Sequence, residues 1–190
     1  MSMNFVHPSN RKIGVLLSGG MDSALMLYLV TKEAASCIQP FTVAKHDGAS
    51  LYVQPIVNWI SNRLHISIND PIIIGNPNLP HDRIIGDALN RVIRHNLADV
   101  FYVGDNIYPE NELPGGPIRV KHHHHTVRYP LFHLTKIDIV QLYLKHNLLD
   151  LLSLTHTCTE QAIGRCTVCW QCRERAWAFK QCEMEDLTTT

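Results

Sequence analysis

Ile13-Gly-Val-Leu-Leu-Ser-Gly-Gly-Met-Asp-Ser-Ala-Leu25 decides how the rest of the chain is read. An apolar run stops at Ser18, turns through Gly19 and Gly20, and reopens at Asp22 into apolar residues at helical spacing, Leu25, Met26, Leu29 and Val30. This is the pattern of strand, glycine turn, helix. Adjacent glycines let a ligand approach the backbone, and the free N–H groups and positive end of the following helix favour a bound phosphate. The Walker loop needs a Gly-Lys-Ser/Thr ending and the dinucleotide fingerprint needs three spaced glycines, so Ser-Gly-Gly-Met-Asp-Ser is neither.

Working outward, residues 1–10 read as a lead-in, with the first strand at about 12–17. Phe41 to Lys45 reads as a second strand, followed by an Asp47-Gly48 turn and a helix to about Leu64 with Pro55 in its first turns. Pro71 to Gly75 is a third strand, Asp82 to Leu97 an amphipathic helix, and Val100 to Gly104 a fourth strand. Strands alternating with helices predict a doubly wound α/β fold, a parallel sheet covered on both faces. Ligands on such sheets sit beyond the strands' carboxyl ends, where both the Ser18 turn and Gly104-Asp105-Asn106 fall.

Pro109, Pro114, Gly115, Gly116 and Pro117 make residues 105–130 a long surface loop. Its His122 to His125 run alternates faces when extended and is given no role. Thr135 caps a helix carrying Ile137, Ile139, Val140, Leu142, Tyr143 and Leu144, with Lys136 in its first turn. A cation there opposes the helix dipole, so Lys136 reads either as a solvated lysine or as a residue facing phosphates.

Cys158, Cys166, Cys169 and Cys172 follow Cys-x7-Cys-x2-Cys-x2-Cys, with Gly164 available for a turn. Four thiolates at this spacing suit a closed tetrahedral zinc site that pins a C-terminal helix starting near Trp170; an iron–sulfur cluster is the competing reading. Cys37 and Cys182 read as ordinary apolar thiols. The domain reading is 1–150 for the α/β body and 151–190 for a small zinc-binding helical segment packed on it.

With 190 residues, 45% of them hydrophobic, the chain can bury a full core. Its formal net charge of +0 gives no electrostatic case for a nucleic-acid or membrane surface. The absence of a long apolar run and the reduced reading of six cysteines point to the cytoplasm.

The hexapeptide at 18–23 resembles the pyrophosphate loop of ATP pyrophosphatases. Together with Pro130-Leu-Phe-His-Leu-Thr-Lys136, and with Arg175 three residues after the last of the four cysteines, the chain resembles the 7-cyano-7-deazaguanine synthase family. That resemblance implies the adenine nucleotide alpha hydrolase-like fold. It also implies an ATP-dependent carbon–nitrogen ligase acting on 7-carboxy-7-deazaguanine and ammonia, with Mg²⁺ at the phosphates and Zn²⁺ on the cysteines. Ser18, Gly19, Gly20, Met21, Asp22 and Ser23 would hold ATP with help from Asp105, while Ser18, Asp22 and Lys136 would carry catalysis. Asn106 would assist Asp105 at magnesium or a purine-like edge. Neither a membrane nor a nucleic acid is an expected partner, and a homodimer is the candidate assembly. The competing functions are a tRNA-modifying thiolase of the same superfamily and a non-catalytic nucleotide-binding module.

Overall fold

The structure, a computed structural model, describes residues 11–34, 37–43, 45–79, 81–116 and 121–186. The lead-in at 1–10, Ala44 and Pro117 lie outside the described residues. Five parallel strands form one sheet in the order β3-β2-β1-β4-β5: β1 (Ile13–Leu16), β2 (Ile38–Thr42), β3 (Ile72–Ile73), β4 (Val100–Val103) and β5 (Val127–Arg128). The helices are α1 (Met21–Glu33), α2 (Val53–Leu64), α3 (His81–Arg94), α4 (Lys136–Lys145), α5 (Leu149–Ser153) and α6 (Trp170–Gln181).

Side chains of β1 alternate between two cores. Ile13, Val15 and Leu17 share a core with α1, α2, α4, α5 and α6, while Leu16 packs with Phe41, Phe101 and the Ile84, Ala88, Leu89, Val92 face of α3. The sheet is therefore covered on both sides, as its β/α alternation predicts, with α3 as the one helix on the second face among the described residues. Helix α1 is buried nearly all round, which matches its run of aliphatic residues.

Three features depart from the sequence reading. Strand β2 begins at Ile38 and includes Pro40, whose position marks a break in the sequence pattern. The carbonyls of Ile38 and Thr42 accept from Asn69 and Ile74 on the β3 side, so Pro40 turns its missing donor that way too. The β3 pairing begins only at Phe41, so no ladder bond is lost. The second departure is β5, which lies inside the stretch read as loop: the Phe101 amide donates to the Thr126 carbonyl at 2.8 Å and Val127 is buried. Two residues are too short to register above the surrounding prolines and glycines. The third is α5, a short link between α4 and the cysteine segment that buries Leu151 and Leu152.

Winding reverses between β1 and β4, so their carboxyl ends open a crevice at the switch point. Gly104, at the end of β4, approaches the start of α1 so closely that a Cβ there would stand 2.8 Å from the Asp22 carbonyl oxygen. That neighbour is backbone and cannot rotate away. Gly104→Ala is expected to cost about 1–3 kcal/mol of stability by overpacking, read as a lower urea midpoint at unchanged slope.

Candidate functional site

Beyond β1 the chain turns at Gly19, whose φ of 86° requires glycine and whose Cα faces the Ala49 carbonyl so tightly that a Cβ would lie 2.1 Å from it. Ser23 closes the turn. Its hydroxyl donates to the Gly20 carbonyl at 3.0 Å and accepts from the Ser18 amide at 3.1 Å, with the Ser18 hydroxyl 3.0 Å away. Gly20 caps α1 with extended backbone and no side-chain bond, so the first N–H groups of a 13-residue helix are left for an anion. The Met21 side chain is buried in the core beneath, and its carbonyl accepts from the Tyr143 hydroxyl at 2.6 Å.

Opposite the turn, α4 begins with a capping box in which Thr135 and Asp138 satisfy each other's backbone amides. The Asp138 carboxylate offsets the dipole that Lys136 opposes. Lys136 is 4% exposed, which removes the solvated-lysine reading. Its ammonium is in close ion-pair contact with Asp22, 3.4 Å from Asn106 Oδ1 and 3.5 Å from Glu174 Oε2. Glu174, on α6, is 1% exposed, and Asn106 Nδ2 approaches its other oxygen at 3.5 Å. Asn106 is thus a buried buttress of Lys136 rather than a ligand-facing group. Ser18, Gly20, Asp22, Asp105 and Lys136 line one cleft, while Gly19 and Ser23 shape its turn from behind.

The cleft also presents residues that the sequence did not single out for this role, namely Lys45, Asp47, His156, Trp170 and Glu174. Arg173-Glu174-Arg175 has the composition of a surface charge run, and nothing in its spacing marks the middle residue as buried. Lys45 and Asp47 sit in a turn between elements, where no periodicity applies.

The four cysteine sulfurs of 158, 166, 169 and 172 lie within 4.8 Å of one another. Tetrahedral zinc with Zn–S bonds of about 2.3 Å needs sulfurs about 3.8 Å apart, so a small contraction accommodates the ion and the donor set fits it. The Cys166 amide donates to Cys158 Sγ at 3.4 Å and the Cys169 amide to Cys166 Sγ at 3.2 Å, bonds that favour thiolates. Burial pushes the Cys169 thiol up, but amides of Thr159 and Cys172 outweigh it and bring it down to about 6; burial and its neighbour Cys169 push Cys172 up. Thr167, between two of the cysteines, holds φ at 61°, a left-handed conformation that a β-branched residue resists. No other group of three or more convergent His, Cys, Asp or Glu side chains occurs among the described residues, the His122 to His125 run included. Cys37 is exposed, its thiol 3.2 Å from Asn69 Oδ1, and is not the apolar thiol its sequence context suggested.

The segment between α5 and the cysteines is tied to the glycine turn. The His156 amide donates to the Gly19 carbonyl at 2.9 Å, and its ring stacks on Tyr52 with centroids 4.7 Å apart. Tyr52 in turn donates to the Ala162 carbonyl at 3.1 Å. Arg175 is fully buried: it donates to Thr155 and Thr157 at 2.9 Å each and in a fork to Asp186 at 2.9 and 3.1 Å. Burial alone would raise the Asp186 carboxyl, but Arg175 and Arg165 hold it at about 2.

A parallel α/β sheet with an uncapped glycine turn at its switch point, joined to a cluster of four thiols that could hold a metal ion, defines a doubly wound α/β protein with a candidate anion-binding turn. Within that class, the family model described as queuosine biosynthesis protein QueC matches residues 110–183, and this partial match supports membership of the QueC-type family. The matched stretch encloses Lys136, all four cysteines, Glu174 and Arg175, while the glycine turn at 18–23 precedes it. No curated protein matches the chain.

Two outcomes follow from this geometry. Cys169→Ser is expected to lose zinc and to lower the melting temperature in parallel, because metal binding is coupled to folding; elemental analysis of wild type should find about one zinc per chain. For Asp186, the folded value lies below the usual carboxylate range, so its contribution to stability is present above about pH 4 and is lost as pH falls through about 2. Asp186→Asn should be less stable at pH 7, and its denaturation midpoint should fall less steeply than wild type across that acid interval.

Proposed function

We propose that the protein is an ATP-dependent carbon–nitrogen ligase of 7-deazaguanine metabolism, converting 7-carboxy-7-deazaguanine and ammonia to 7-cyano-7-deazaguanine. The family match supports a role in queuosine biosynthesis. The observation that carries the reaction type is the open N-terminus of α1 at the Gly19-Gly20 turn, facing a buried lysine in the same cleft. Free helix N–H groups and a fixed cation suit a leaving pyrophosphate.

In this reading the acceptor carboxylate attacks the α-phosphorus of ATP, the bond to the β-phosphate breaks, and pyrophosphate leaves against the turn of residues 18–23. Ammonia then forms a C–N bond at the activated carbonyl and AMP departs with the oxygen. A second adenylation, on the amide oxygen, lets loss of AMP and a proton leave the nitrile. The N–H groups at Met21 and Asp22 and the Ser18 hydroxyl hold the phosphates, and Asp22 keeps Lys136 aligned at the cleft. Four carboxylates, Asp22, Asp47, Asp105 and Glu174, line the cleft against two ammoniums, Lys45 and Lys136. A polyphosphate entering that surplus of negative charge needs a divalent cation, and Mg²⁺, with Asp22 and Asp105 as its nearest candidates for direct or water-mediated contact, would supply charge neutralisation at the leaving group.

A sulfur-transferring thiolase would need a free reactive cysteine in the cleft. Cys158 lines it but is engaged in the four-thiol cluster, and Cys37 lies on another surface beside Lys12 and Leu97. Among the described residues no helix is long and apolar enough to cross a membrane.

Incubating the protein with 7-carboxy-7-deazaguanine, ammonium, ATP and Mg²⁺ should yield the 7-cyano product by mass spectrometry, with two AMP and two pyrophosphate per nitrile. Asp22→Asn should reduce AMP release at least about a hundredfold, since it weakens the hold on Lys136. Absence of AMP in the wild-type reaction would refute the proposal.

A further inference from the structure

The two lysines of the cleft differ in what their ammoniums already touch. An ammonium carries three N–H donors and needs acceptors for them when buried. Lys136 has three nearby acceptors, on Asp22, Asn106 and Glu174. Lys45, whose side chain is 13% exposed, has one among the described residues, the Asp47 carboxylate at 2.7 Å. Lys136 is thus committed to joining α1, α6 and the segment after β4, whereas Lys45 keeps donors to spend on a ligand.

Lys45 is also held in place relative to the glycine turn. Asp47 uses its second oxygen to accept from the Ala49 amide at 3.0 Å, and the Ala49 carbonyl is the group packed against Gly19. Gly48, between them, takes φ of 70° and abuts Ala162, leaving this turn little freedom. A cation fixed by its own carboxylate beside an open helix N-terminus is matched to a chain of anionic oxygens, because little side-chain entropy remains to be lost on binding.

We infer that Lys45 is a binding residue for the polyphosphate chain of a nucleoside triphosphate, donating to its non-bridging oxygens while Asp47 fixes the ammonium beside the Gly19 turn. Lys136 remains the fixed cation that faces the leaving pyrophosphate, its own donors already turned to Asp22, Asn106 and Glu174. The inference rests on the nucleotide reading proposed above and adds to it the residue that grips the phosphates.

The test is calorimetric titration of the zinc-loaded protein with an ATP analogue carrying a methylene bridge between the α and β phosphorus atoms, in the presence of Mg²⁺, at low and high salt. Two variants are used: Lys45→Gln, which can still bond Asp47, and Lys45→Met with Asp47→Asn, which removes the pair without leaving a buried charge unpaired. Loss of a charge-assisted bond to phosphate should weaken binding about tenfold or more in both, with wild type and variants converging as salt rises. Should only one variant fold, its affinity decides. If the analogue binds the folded variants as tightly as wild type, or if their deficit is the same at every salt concentration, the assignment of Lys45 is overturned while the nucleotide reading stands. If wild type fails to bind the analogue, the nucleotide reading itself falls, and the inference with it.

Discussion

One buried ammonium ties the working end of this molecule together. Lys136 begins α4, yet its charge is balanced by Asp22 from α1 and Glu174 from α6, with Asn106 from the segment after β4 completing the contacts. Removing one partner of a buried ion pair typically costs about 3–5 kcal/mol, because the remaining charge is stranded away from water. The relative placement of four chain segments around the cleft is therefore enforced by a charge rather than by apolar packing alone, which carries no directional demand.

The cysteine segment acts on the same end of the sheet from the other side. Cys158 of the thiol cluster lines the cleft, the preceding His156 bonds the Gly19 carbonyl, and the helix that starts after Cys169 delivers Glu174 to Lys136. Four thiolates on one ion would leave no coordination position open to a ligand, so the part this segment plays at the cleft is the placement of these residues. The strained Thr167 backbone is the local cost of bringing Cys166 and Cys169 together. Arg175 secures the same segment by bonding Thr155, Thr157 and Asp186, so the module is anchored even where no thiol is involved.

The glycine turn, the βα alternation and the cysteine spacing are legible in the sequence because each is a local pattern with a local cause. Gly19 is needed where φ is positive, apolar residues repeat at the period of the element that buries them, and x2 spacings let thiolates converge. The same reasoning lengthened β3, began β2 three residues late and passed over β5. Strand pairing over two residues is decided by the neighbouring strand, and Pro40 is tolerated because its missing donor faces the β3 side, where the ladder begins only at Phe41.

What the sequence by itself determined is the alternation of strands and helices from β1 to β4, the glycine turn at 18–23 and the four-thiol cluster, all of which depend on residues close together in the chain. Tertiary structure alone decided which charges are buried and which of them face each other. Glu174 and Asp22 are far apart in sequence and meet at Lys136; Lys45 and Lys136 look alike as residues and differ in their surroundings. Charge burial and hydrogen-bond satisfaction are properties of the packed environment, so no local pattern in the chain encodes them.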